Sequence, residues 1–194
     1  MFKYIGCLDF EANCLEGKTL YPQEIIEFPV VVYDVERNLI DRSRDFHYYC
    51  RTSLPITKFC TSLTHITQEM TEGGLEFDRV LHEFGRWMND NGFNNENFLL
   101  TTCGSWDLDT CLPNYLKYLG IKAPSYLRRW NNIKETHRII QGSKISGMDN
   151  LLKFYGLKFE GHPHSGIDDA YNLARVVQKI YNSGYELKVN ESLK

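Results

Sequence analysis

Apolar and polar positions divide this chain of 194 residues into a strand-rich first part and a part where strands and helices alternate. Residues 4–12 read Tyr-Ile-Gly-Cys-Leu-Asp-Phe-Glu-Ala, an apolar run of strand length. After a loop over residues 15–22, a second strand is expected at 25–34, where Pro29 predicts a bulge or an unpaired side. A turn near 36–38 leads to a third strand over 39–50, and the three read as an antiparallel meander. The period then changes. Residues 67–71 suggest one helical turn. Phe77, Val80, Leu81, Phe84 and Met88 recur at helical spacing and predict a helix over 76–89, stopped by Asn91-Gly92. Residues 98–103 form a short apolar run, after which Gly104 turns the chain into a helix that Ser105 is placed to cap and Gly120 ends. Further helices are expected at 133–140, 148–155 and 167–182. The composite is an α/β fold: an antiparallel meander extended by parallel strands, with helices on both faces.

Length and composition narrow this picture. The size suits one domain over residues 1–194. With 42% apolar and 24% charged residues the composition is that of an ordinary globule, and no apolar stretch approaches the ~20 residues of a membrane helix. The first residues enter a strand without a signal-peptide pattern, so an intracellular protein, cytoplasmic or nuclear, is expected. Six cysteines without CxxC spacing argue against a zinc ribbon or a dithiol redox site; Cys7 and Cys103 are expected in core strands as small hydrophobes. The net charge of −3 is uneven. Residues 117–144 carry seven basic side chains (Lys117, Lys122, Arg128, Arg129, Lys134, Arg138, Lys144) against the single acid Glu135, interleaved with Tyr118, Tyr126 and Trp130. That mixture fits a surface that meets phosphates and stacks bases, and it fits a solvated helix face equally well.

The chemistry is carried by acids at the ends of apolar segments. Asp9 and Glu11, two apart on a strand, project to one face while Leu8 and Phe10 face the other. Two adjacent like charges beside apolar neighbours call for a hard divalent cation. Asp107 follows the strand at 98–103, at its carboxyl edge and in the first turn of a helix; Asp109, later in that helix, is the expected solvated competitor. In Gly161-His-Pro-His-Ser-Gly-Ile-Asp-Asp169, Ser165 and Asp168 fit a capping box, which leaves Asp169 to face a metal, with His164 in the loop before it. Four carboxylates on three segments, with one group titrating near neutrality, match oxygen ligation of two Mg²⁺ or Mn²⁺ ions and hydrolysis of phosphodiesters. A zinc site on His162 and His164 lacks further ligands at suitable spacing.

Asp9-Phe-Glu11, Ser105-Trp-Asp107 and His164 with Asp169 resemble the motifs of the DEDD exonucleases in their histidine subclass, which implies a ribonuclease H-like fold. More closely, Leu8-Asp-Phe-Glu-Ala12, Glu24-Ile-Ile-Glu-Phe-Pro29, Cys60-x-x-Leu-Thr64, Gly104-Ser-Trp-Asp107 and His164-Ser-Gly-Ile-Asp-Asp169 resemble the Eri-type 3′-to-5′ exoribonucleases over nearly the whole chain. The resemblance implies metal ligands at Asp9, Glu11, Asp107 and Asp169, two Mg²⁺ ions with Mn²⁺ able to substitute, and His164 as general base. It also implies a supporting role for Glu27. Substrate contacts are implied at Phe10, Ala12, Leu63, Thr64, Trp106 and His164, with simple core packing the other reading of Trp106. The expected partner is a single-stranded RNA 3′ end, and no membrane or particular protein partner is implied. His65 stands where the family usually has glycine, beside the terminal-nucleotide pocket. The sequence shows no N-terminal nucleic-acid-binding module, so recognition of a particular RNA stem-loop is not carried over from the family. The competing expectations are a DNA-directed 3′ exonuclease and an inactive RNA-binding scaffold of the same fold.

Overall fold

The computed structural model describes residues 1–193. One mixed sheet runs through the molecule. Its antiparallel part comprises β1 (Tyr4–Leu8), β2 (Glu11–Ala12), β3 (Ile25–Asp34), β4 (Leu39–Ile40) and β5 (Phe46–Tyr49). β6 (Phe98–Thr102) and β7 (Arg129–Asn132) extend it in parallel from β1, and β8 (Glu191–Ser192) pairs antiparallel with β7. The order is β2-β3-β1-β6-β7-β8, with β4 and β5 also paired to β3. This is the expected meander with a parallel extension.

Helices cover both faces. Leu8, Phe28, Val30, Val32 and Leu100 pack with α3 (Phe77–Asp90) and α4 (Leu112–Leu119) on one side. Ile5, Cys7, Val31, Tyr33 and Leu99 pack on the other side with α5 (Ile133–Gln141), α6 (Gly147–Phe154) and α7 (Gly166–Asn182). Two shorter helices, α1 (Lys58–Thr64) and α2 (Gln68–Glu72), lie beyond the β2 edge, where Ile26, Cys60 and Ile66 form a small core of their own. With both faces covered, β3 is buried at all ten positions, which explains its near-continuous apolar sequence. Among the described residues no helix is long and apolar enough to cross a membrane.

Pro29 is accommodated without a bulge of its own. The Ile26 carbonyl accepts from Cys50 N–H and the Val32 carbonyl from Asp41 N–H, so even-numbered residues of β3 direct their backbone groups toward β5 and β4. Pro29 therefore turns its nitrogen to the opposite side, into the gap between the β2 pairing, which ends at Glu27, and the β1 pairing, which begins at Val30. No ladder bond is lost there.

Four expectations need correction. The strand expected over 39–50 is broken into β4, a 3₁₀ turn at Arg42–Arg44 and β5, because Asp41 accepts from both the backbone N–H and the hydroxyl of Ser43 and closes a local turn. The helix expected from Ser105 begins with a wide π-helical turn, Trp106–Cys111, and Ser105 makes no cap bond because its hydroxyl donates to Glu191 instead. Trp130 is no surface aromatic. It is fully buried on β7, with its indole N–H donating to Glu191. Cys103 lies just past β6 and is only half-buried, whereas Cys7 is in the core as expected.

Candidate active site

The carboxyl end of β1 lies beside the carboxyl end of its parallel neighbour β6, and the acids gather there. β1 stops at Leu8, β2 starts at Glu11, and the register with β3 shifts between Glu11 and Ala12. The expected single strand is thus interrupted at Asp9 and Phe10, yet the two acids still converge. Carboxylate oxygens of Asp9, Glu11 and Asp169 lie within 4.8 Å of one another. The Phe10 ring turns away into the core, edge-on to Phe28 at 4.7 Å. Phe10 and Ala12 are both buried.

Asp107 reaches the same place from the turn after β6. It is buried, and its Oδ1 accepts the Phe10 N–H at 2.9 Å, the backbone group freed by the strand break. Asp109 is exposed, as expected for the competitor.

Asp169 is brought in by α7, but not through the expected capping box. Ser165 makes no side-chain cap bond, and Asp168 accepts from the His162 N–H behind it. The amino end of α7 is capped instead by Glu27 of β3, which accepts from Gly166 N–H at 3.0 Å and Ile167 N–H at 3.2 Å. His47 holds the same carboxylate at 2.7 Å. A long-range acid thus satisfies helix amides that a local box otherwise would. Gly166 makes this seat possible: a Cβ there would come within 2.8 Å of the Asp9 carbonyl oxygen and 2.9 Å of Glu27 Oε2.

The loop carrying His164 is pinned along its length. Asn172 bonds to both the N–H and the carbonyl of Glu160, Asp168 holds His162, and Asp169 Oδ2 accepts the His164 N–H at 2.8 Å. His164 adopts a left-handed φ of 66°, its backbone is held to Asp169, and the residue is exposed. A non-glycine residue in that region is uncommon and clusters at functional positions. His65 does the same with φ 62° as the C-cap of α1. The backbone conformation that glycine normally supplies is therefore retained by a histidine, and its ring lies 5.3 Å from that of His162. Thr64 is buried with its hydroxyl donating to the Cys60 carbonyl, Leu63 is half-buried, and Trp106 is exposed, which excludes its reading as core.

Burial and mutual repulsion dominate the electrostatics. Burial raises Asp9 well above the usual carboxylate range, helped by Asp107, Asp169, Glu11 and Glu27. Burial, with Glu27 directly opposite in the ladder, pushes Glu11 up to about 9. Asp169 is pushed up to about 7 by burial, and Asp107 to about 6, held back by the Phe10 amide and Lys134. This set of oxygen donors wants cations or protons.

Comparison with known proteins agrees with this geometry. The exonuclease family model matches residues 7–177. The human protein ERI1 exoribonuclease 3 is 34% identical over 192 residues, covering 96% of this chain and 56% of its own length. Human 3′-5′ exoribonuclease 1 is 32% identical over 99% of this chain and 56% of its own. The chain thus spans little more than half the length of the curated relatives it matches. Among solved structures, the nuclease domain of 3′hExo, described as a DEDDh family member bound to rAMP, superposes with a TM-score of 0.93 at 31% identity, over 98% of both chains. With its sequence matched along nearly its whole length and its acids gathered at one sheet edge, the chain belongs to the exonuclease family, as an Eri-type domain of the DEDDh branch.

Proposed function

We propose that this chain, as one exonuclease domain over residues 1–194, hydrolyses RNA from a free 3′ hydroxyl and releases nucleoside 5′-monophosphates. The observation that carries this reading is the convergence of Asp9, Glu11 and Asp169 within 4.8 Å, with Asp107 locked beside them by the Phe10 amide. The family depends on divalent metal, and this donor set fits it: all oxygen, largely buried, and mutually repelling until cations neutralise it. Asp9, Glu11, Asp107 and Asp169 would hold two Mg²⁺, with Mn²⁺ able to substitute. Such ions supply the positive charge that stabilises the attacking and leaving oxygens of a phosphodiester displacement. An imidazole nitrogen of His164 takes the proton of the attacking water, while Asp169, through the His164 N–H, keeps that residue at the rim of the acids. Leu63, Thr64 and Trp106 grip the terminal nucleotide. RNA is the favoured substrate because the neighbouring solved structures include one bound to rAMP and one of 3′-end specific recognition of a histone mRNA stem-loop. The test is digestion of one RNA sequence in linear and circular form, beside the matched DNA. Mononucleotides are expected from the linear RNA alone; efficient cleavage of the circle overturns the exonuclease reading, and faster digestion of DNA overturns the choice of sugar.

The raised acids make a second prediction with a definite sign. Unfolded, these carboxylates titrate near 4; folded, they hold their protons to about 6 for Asp107, 7 for Asp169 and 9 for Glu11. The folded state therefore binds more protons across that window, and metal-free stability falls as pH rises through it. Thermal unfolding in a chelating buffer is expected at a lower temperature at pH 8 than at pH 6. The increase in that temperature on adding Mg²⁺ should be the larger at pH 8. A metal-free midpoint that stays level or climbs between these pH values contradicts the burial of ionisable acids at this site.

A further inference from the structure

Lys134 is misplaced by the electrostatics of its own helix. It is the second residue of α5, where the positive pole of the helix disfavours a cation. Its side chain is half-buried, whereas Lys117, Lys122, Arg128, Arg129, Arg138 and Lys144, the other basic residues of the same charged run, are all exposed. Among the described residues no carboxylate lies within ion-pair distance of its ammonium. A partly desolvated cation without a bonded partner carries an energetic penalty that surface solvation would have removed.

The fold nevertheless fixes its backbone. The Asn132 side chain accepts the Lys134 N–H at 3.0 Å and donates to Ser105 Oγ at 3.1 Å and Glu191 Oε1 at 2.8 Å, tying the start of α5 to the segment that leads into Asp107. The side chain then runs over Gly104. A Cβ at that glycine would lie 3.2 Å from Lys134 Nζ, and Gly104 has φ +121°, so the backbone disfavours a side chain there and the ammonium crowds the space one would take. Gly104 is three residues before Asp107, and Lys134 is near enough to lower the pKa of both Asp107 and Cys103. An ammonium near enough to influence Asp107 but paired with no carboxylate keeps its donors free for an anion that arrives with the substrate.

We infer that Lys134 is the phosphate-binding cation of this site, its Nζ donating to a phosphate oxygen of the terminal nucleotide and so positioning the chain for cleavage. The inference rests on the exonuclease reading and adds to it the residue that recognises phosphate rather than base or sugar. Glu191, beyond the family match, supports that position by bonding Ser105, Trp130 and Asn132 together.

The test compares binding of AMP and adenosine by calorimetry in Mg²⁺, using the whole chain as wild type, Lys134→Met and Lys134→Arg, with digestion of linear RNA measured alongside. The wild type is expected to prefer AMP. Lys134→Met should reduce that preference about tenfold or more while leaving adenosine affinity unchanged, the loss expected for one charged hydrogen bond. Lys134→Arg should restore most of it. Lys134→Gln, which keeps a donor without the charge, serves if the methionine variant does not fold. A cation that only balances Asp107 would leave the AMP-to-adenosine ratio where it was, and that result in an active enzyme overturns this inference alone. A wild type that neither digests linear RNA nor distinguishes AMP from adenosine overturns the exonuclease reading and this inference with it.

Discussion

Asp9→Asn is expected to abolish RNA digestion while making the metal-free protein more stable, and the opposite signs are the informative part. Asp9 bears the repulsion of Asp107, Asp169, Glu11 and Glu27 on top of its burial, so replacing its carboxyl with a neutral amide of similar shape removes the cost of holding a charge, or of taking up a proton, at that place. Relief of about 1 kcal/mol would raise the unfolding midpoint by about 2–4 °C in a chelating buffer. The same change takes a charged oxygen from the donor set around the cations, and losing several kcal/mol of charge stabilisation in the transition state corresponds to about a 10³-fold or greater loss of turnover. A residue that merely supported the fold would lose stability and activity together. The two measurements are therefore made on the same preparation: thermal unfolding with chelator, and single-turnover digestion with Mg²⁺. Normal turnover in a folded Asp9→Asn protein removes Asp9 from the metal site, and a destabilised metal-free variant removes the account of its electrostatics.

What the sequence discloses and what it conceals follow from the range of the interactions. The acid pair at Asp9 and Glu11 is legible because a strand run ends on two carboxylates. Asp107 is legible against Asp109 because only the first turn after β6 faces the carboxyl edge, where the Phe10 amide waits for it. The amino end of α7 misleads. Ser165 with Asp168 has the spacing of a local cap, but Glu27, 139 residues from Gly166, reaches the same amides and wins because it is buried where no water competes. β7 and β8 give no alternation to read: Arg-Trp-Asn-Asn and Glu-Ser become strands by pairing with β6 and with each other, and Glu191 ties Ser105, Trp130 and Asn132 together there. The same tertiary polar cluster takes Trp130 from the surface into the core. In the basic run, six members are surface charge and the seventh is not, a distinction set by the passage of Lys134 over Gly104 that charge counting does not contain. His65 keeps the left-handed turn of a glycine position, so the departure from the family pattern changes the side chain at the rim and not the path of the backbone.

His164→Ala is expected to lower the single-turnover rate of RNA digestion by ~10² to 10⁴ while leaving metal and RNA affinity nearly unchanged, as loss of a general base does. The geometry separates the two functions cleanly. Asp169 is bonded to the backbone N–H of His164, which an alanine still supplies, so the acid should stay in place when the imidazole is gone. His164 is exposed and belongs to none of the apolar clusters, so the loop does not depend on its ring for core packing. Alanine at φ 66° is somewhat strained, a cost shared by the loop but restrained by the bonds of Asp168 to His162 and of Asn172 to Glu160. His162 is the control, because it shares the loop and the exposure and packs against His65 without lying next to Asp169. His162→Ala should change the rate little. If it proves as damaging as His164→Ala, the loop is acting through its shape, and if His164→Ala keeps near-normal single-turnover rates with Mg²⁺ saturating, the attacking water gives its proton to another group.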